Sequence, residues 1–207
     1  MKKRILVLLL GAFCMLLIGC TCYPAPEKPI LYFYPEEETV VSAKLELNGR
    51  LTCAYPEHGE YGWQNYLAYP DGTLVSQDGK TYYALYWEGE IDASFDFSQG
   101  FCVEGDRVAD FLAETLLRLG LNEREANEFI IYWLPQMQGN PYNLISFQSE
   151  AYTDNAKLIL SPEPETLIRV FMAWKALDTP VAIEPQTIVT PERTGFTVVE
   201  WGGCKVG

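Results

Sequence analysis

The sequence predicts an α+β fold: an antiparallel β-sheet or sandwich with an antiparallel helical hairpin inserted at about 106–138. Three observations carry this. Residues 30–87 alternate apolar and polar positions between turn signals, as half-buried strands do. Residues 106–135 switch to apolar residues spaced mostly by three or four, the helical period. From 144 onward the strand pattern returns.

The first strand, 30–34, is rich in aromatics and stops at Pro35; the run Glu36, Glu37 and Glu38 reads as a solvated turn. The second, 39–47, places Val41, Ala43, Leu45 and Leu47 on one face. Asn48-Gly49 is a hairpin signal. A three-residue loop, Leu47-Asn48-Gly49, sets Leu45 opposite Leu51 and Ala43 opposite Cys53, and this register keeps one apolar face. The meander continues through 62–69, the turn Pro70-Asp71-Gly72, 73–75 and 81–87.

The first helix buries Val108, Ala109, Phe111, Leu112, Leu116 and Leu119 and ends at Gly120. Asn122 caps the second, with Glu125 placed for a capping box. Its stripe of Ala126, Phe129, Ile130 and Trp133 is core packing, and Pro135 marks a kink or an end. So short a connection makes the two helices antiparallel. Strands follow at 144–147, 157–160, 167–174 and 196–201, with loops at 161–164 and 179–185.

The leader assigns an address. Lys2, Lys3 and Arg4 precede an apolar run to Ile18, the n- and h-regions of an export signal. Residues 5–18 are too short to cross a hydrocarbon core of about 30 Å. Leu17-Ile18-Gly19-Cys20 resembles the lipobox of bacterial lipoproteins, in which the chain is cut before the cysteine and the cysteine takes lipid. That resemblance implies a signal peptide at 1–19, a lipidated tether at 20–29 and a single domain at 30–203. The protein would face the periplasm or the exterior from the cell envelope, held to a membrane by lipid on Cys20.

Composition narrows the partners. The formal charge of -13 grows more negative once the leader is removed, so the domain repels phosphate backbones; no nucleic-acid partner is expected. With Cys20 lipidated, Cys22, Cys53, Cys102 and Cys204 form an even set in an oxidising compartment. Of the three connectivities, Cys53–Cys102 with Cys22–Cys204 is preferred, the alternative being free buried thiols. One histidine and no second close cysteine pair point to no metal and no cofactor.

Further strings resemble a group of uncharacterised bacterial proteins. They are Lys28-Pro29-Ile30-Leu31-Tyr32-Phe33-Tyr34-Pro35, Asn127-Glu128-Phe129-Ile130-Ile131-Tyr132-Trp133-Leu134-Pro135, Asn140-Pro141-Tyr142-Asn143 and Gly195-Phe196-Thr197-Val198-Val199-Glu200-Trp201-Gly202-Gly203. The resemblance implies one integral domain from about 28 to 203, carries no known activity and transfers no catalytic residue.

Two chemistries compete for the function. Tyr82, Ala84 and Tyr86 share one face of 81–87, against Tyr83, Leu85 and Trp87 on the other. If the latter lines the core, Tyr82 and Tyr86 join Tyr66 as an exposed platform for a glycan or an envelope protein. Otherwise both faces are buried, one under the sheet and one under the helices. The alternative is a lipid-anchored glycan hydrolase, using a carboxylate pair drawn from Glu88, Asp92, Asp96, Glu150 and Glu200. His58, in a polar turn, reads as a solvated loop residue. The expectation is a binding or envelope-assembly module rather than an enzyme.

Overall fold

Apolar runs from opposite ends of the chain become neighbouring strands. In the computed structural model, which describes residues 25–207, β1 (Glu27–Tyr34) pairs antiparallel with β12 (Thr197–Lys205), Ile30 opposite Trp201 and Tyr34 opposite Thr197. Both strands are central in a seven-stranded sheet of order β3 (Gly49–Tyr55), β7 (Leu85–Ile91), β1, β12, β11 (Thr166–Leu177), β9 (Tyr142–Phe147), β8 (Phe101–Glu104). Their near-continuous apolar sequences follow from burial on both faces. A second sheet of five strands runs β10 (Ala156–Ser161), β2 (Thr39–Leu47), β4 (Trp63–Ala68), β5 (Leu74–Val75), β6 (Thr81–Tyr82).

The fold is mainly β, with two sheets and a small helical insertion, α+β as expected. One expectation is corrected: β11 and β12 run parallel, Thr166 beside Thr197 and Trp174 beside Lys205. Parallel neighbours need a long crossover, and the segment 178–196 supplies it.

On one face of the large sheet lie α1 (Val108–Arg118) and α2 (Glu123–Met137). Val108, Leu112, Leu116, Phe129, Trp133 and Met137 pack there on Ile30, Val170, Met172, Val199 and Trp201. The capping box forms as predicted: Asn122 accepts from the Glu125 amide, and Glu125 accepts from the Asn122 amide. Arg193 of the crossover then donates to the Gly120 carbonyl and to Glu125, pinning the turn between the helices. Pro135 lies inside α2, two residues before its end. A third helix, α3 (Ser149–Thr153), was not predicted. Among the described residues no helix is long and apolar enough to cross a membrane.

The opposite face of the large sheet meets residues of the five-stranded sheet. Leu31, Phe33, Trp87, Phe171 and Val198 form one apolar cluster with Val41, Ala43, Leu45, Trp63 and Leu74. The expected hairpin at Asn48-Gly49 is therefore replaced by a crossing between sheets: β2 pairs with β10 and β4, whereas β3 pairs with β7. Asn48 anchors the corner, its amide donating to the Asn155 carbonyl and its carbonyl accepting from the Asp92 amide, both at 2.8 Å. Gly49 is required there because a β-carbon would fall 1.9 Å from the Glu90 carbonyl oxygen.

Candidate functional site

A second crossing between sheets builds a cleft lined by several tyrosines. β6 belongs to the small sheet and β7 to the large one, so the chain changes sheets at Tyr83-Ala84. This breaks the alternation read from the sequence. Leu85 and Trp87 face the cluster between the sheets, but Tyr83 does not follow them: it stands 50% exposed, with the Arg124 guanidinium 5.4 Å from its ring. Tyr82 stays with the small sheet, and Tyr86 points to the helix side of the large one.

No residue of β3 or β7 contributes to the cluster beneath the helices. Tyr86 and its cross-strand neighbour Tyr55 are left at an open edge, Tyr55 being 65% exposed. The result is a cavity of about 380 Å³ lined by Lys28, Tyr55, Thr81, Tyr82, Tyr83 and Tyr86 among others. Tyr82 meets Tyr55 edge-on at 5.8 Å. Beyond the cleft the same strand pair carries Cys53 opposite Glu88, and Arg50 bridged to Glu90 at 2.6 Å. Burial, and then the neighbouring Glu88 carboxylate, push the Tyr86 hydroxyl well above its ordinary range, so it stays protonated and able to donate.

The predicted platform is thus rebuilt. Tyr66 is not exposed: at 8% it lies behind Tyr82, whose ring it meets at 6.0 Å. Tyr82 and Tyr86 are half-buried walls of a cleft rather than an open patch. Lys28, Tyr55 and Tyr83 were not singled out. The signal for Tyr55 was local, an aromatic ending a strand before Pro56, but its meeting with Tyr86 depends on pairing across the sheet.

Of the candidate acids, Asp96 and Glu150 share a cavity, whereas Glu88, Asp92 and Glu200 lie elsewhere. Glu88 lies on β7, opposite Cys53 of the edge strand β3, and Asp92 just past the end of β7, where the chain meets Asn48. Glu200 is corrected outright. It sits 1% exposed between the sheets, accepting from Arg169 Nε at 2.7 Å and from Trp87 Nε1 at 3.0 Å. A carboxylate so enclosed has no route to substrate. Asp96 and Glu150 do line one polar cavity of about 650 Å³, together with Gln148 and Gln186. Asp96 accepts from both the amide and the hydroxyl of Ser98, at 2.8 and 2.6 Å, and these bonds hold it below the usual carboxylate range. The amides beside it are occupied by backbone: Gln186 brackets Phe147 at 2.7 and 3.0 Å, and Gln148 binds Asp96. Asp96 is therefore held ionised, the wrong state for the acid that glycoside cleavage needs.

The expected Cys53–Cys102 bridge is also corrected. Among the described residues Cys53, Cys102 and Cys204 form no bridge with one another, and Cys53 and Cys102 occupy opposite edge strands of the large sheet. Six strand spacings separate them, roughly 29 Å, against about 7 Å for bonded cysteines. Cys204 is enclosed, and burial pushes its thiol up to about 12. Cys20 and Cys22, and the whole leader, lie outside the described residues.

His58 has a structural part. Its ring meets Trp63 edge-on at 4.7 Å, and Nε2 accepts the Leu45 amide at 3.3 Å. Burial lowers its pKa, and only the neutral ring can accept that bond. The unfolded chain protonates near the ordinary histidine value of about 6.5, while the folded chain resists until lower pH. The contribution of His58 is therefore present above that value and lost as pH falls through the folded pKa. Urea unfolding should show a midpoint that drops between about pH 7 and pH 5, with a smaller drop in His58→Gln. An identical drop in both proteins would remove His58 from this account.

Comparison with known proteins finds one family link. The chain is 33% identical over 95 residues to an "Uncharacterized protein in bglA 3′ region" of Butyrivibrio fibrisolvens, a match taking in 43% of this chain and 98% of that protein. No family description matches the chain, and no solved structure does.

Proposed function

The chain belongs to the family of that uncharacterised Butyrivibrio fibrisolvens protein, and on this premise we propose that it is a lipid-anchored binding module of the bacterial envelope that takes glycans in its tyrosine cleft. The carrying observation is the convergence of Tyr55, Tyr82, Tyr83 and Tyr86, from both sheets, on one open cavity. Tyrosine rings offer apolar area for sugar faces, and their hydroxyls offer hydrogen bonds. The lipobox-like Leu17-Ile18-Gly19-Cys20 supports the anchor, and the acidic composition leaves attachment to lipid alone. The apolar cluster between the sheets supports reading them as a face-to-face sandwich within a single domain.

Affinity electrophoresis in soluble polysaccharides tests the ligand. Tyr55→Ala and Tyr86→Ala should each weaken retardation about tenfold or more, an effect on the scale of a binding hot spot. Tyr55→Ala should leave stability within about 0.5 kcal/mol, because the ring is largely exposed. Binding that survives both substitutions would remove the cleft from this role. Release of reducing ends from the same polysaccharides, lost in Asp96→Asn, would instead favour the hydrolase with Asp96 and Glu150. Cys20→Ala should leave an uncut, unlipidated precursor, and normal processing of that variant would sink the anchor.

A further inference from the structure

We propose that Lys28 is the anion-reading residue of the tyrosine cleft, and that its ligand is an acidic glycan bearing a carboxylate. This rests on the glycan reading of the cleft and goes beyond it by assigning the ligand's charge.

The backbone makes the first argument. Lys28 has φ 60°, in the left-handed region where a β-carbon is disfavoured, and it precedes a proline, which restricts it further. A lysine is a poor choice for that conformation; glycine or asparagine would fit it better. The conformation creates a bulge in β1. The register shifts between Glu27 and Ile30, so that Lys28 and Pro29 together oppose Gly202. Gly202 lacks a side chain at the point where Pro29 approaches, and a β-carbon there would lie 3.1 Å from Pro29 atoms. Lys28-Pro29 and Gly202-Gly203, from opposite ends of the described chain, thus meet at one bulge beside the cleft.

The second argument is electrostatic. The bulge carries the Lys28 ammonium to 5.7 Å from the ring centres of both Tyr86 and Tyr132. In a chain with 28 acidic and 15 basic residues, a lysine would be expected to find a carboxylate. Among the described residues none lies within ion-pair distance of Lys28. The nearby acid Glu27 accepts the Tyr132 hydroxyl at 3.0 Å, Glu88 stands beside the Tyr86 hydroxyl, and neither lines the cavity. The cleft wall therefore presents a positive charge with no carboxylate within ion-pair distance among the described residues, next to aromatic faces suited to a sugar ring. A carboxylate on the sugar supplies the missing partner; a neutral sugar does not.

The test uses the folded mature protein and a panel of uronate tetrasaccharides, each with its methyl ester, which keeps the sugar and removes the charge. The acids should bind, the esters should bind about tenfold or more weaker, and the difference should shrink with added salt. Lys28→Gly relieves the left-handed strain, so it should keep or raise the melting temperature while losing the acid-over-ester preference. Lys28→Arg should retain that preference. Equal binding of acid and ester, an undiminished preference in Lys28→Gly, or failure of every uronate to bind would each overturn the proposal. If Tyr55→Ala and Tyr86→Ala abolish binding while Lys28→Gly does not, only the lysine assignment falls. If the tyrosine variants also bind neutral and acidic sugars normally, the cleft reading falls with it.

Discussion

Glu200→Ala should lower folding stability by about 3–5 kcal/mol, seen as a large drop in the denaturant midpoint at unchanged slope. Glu200 and Arg169 are enclosed between the two sheets, with 1% and 8% of their side chains exposed. The carboxylate answers two donors there, the Arg169 guanidinium and the Trp87 indole. Removing it strands a positive charge among the buried side chains of Phe171, Tyr152 and Val198. One guanidinium nitrogen of Arg169 already lacks a hydrogen-bond partner, so losing the carboxylate leaves still more of the guanidinium unsatisfied. The control is the double substitution Arg169→Met with Glu200→Leu, which replaces the pair by apolar volume and should recover most of the loss. If Glu200→Ala were as stable as the parent, the pair would have to be solvated. A catalytic carboxylate would behave the other way, losing activity while the fold survived.

Trp201→Ala should cost a similar amount, about 3–5 kcal/mol, through the cavity it opens beneath the helices. The ring is fully buried in the cluster shared by the large sheet and the helical hairpin. It meets Phe129 of α2 at 5.3 Å, and its indole donates to the Tyr32 hydroxyl at 3.2 Å. Tyr32 in turn donates to Glu128 of α2 at 2.6 Å, so one side chain supports both the packing and the polar docking of that helix. Trp201→Phe keeps most of the volume and should cost far less. Hydrogen exchange should show α2 as the element most exposed in Trp201→Ala; protection there equal to the parent would mean that other contacts hold the helix.

Local pattern was enough for most elements. The bounds 39–47 match β2, and the capping box at Asn122 and Glu125 forms because both partners lie within one turn. Such features are decided by residues three or four apart, where spacing is already geometry. The failures have one cause. Asn48-Gly49 was a true signal of unusual backbone, but the glycine serves a crossing between sheets, where Glu90 approaches from β7. Tyr83 broke step with Leu85 for the same reason, because the chain changes sheets between β6 and β7. Period-two alternation reports that one face is buried; it does not report which sheet the strand joins or what covers it.

The site follows the same division. Tyr82 and Tyr86 were legible as candidates, because large rings fall on both faces of one short segment. That Tyr66 would be enclosed, that Tyr55 and Tyr83 would take its place and that Lys28 would stand over Tyr86 was not legible. Those outcomes depend on β1, β3, β6 and β7 meeting across two sheets, and on a bulge set by Gly202 nearly the whole chain away from Lys28. The sequence by itself determined the element types, their order and the helical hairpin, since these rest on contacts within a few residues. Tertiary structure alone decided which rings and which charge share a cleft, because side chains far apart in the chain become neighbours only when the strands choose their partners.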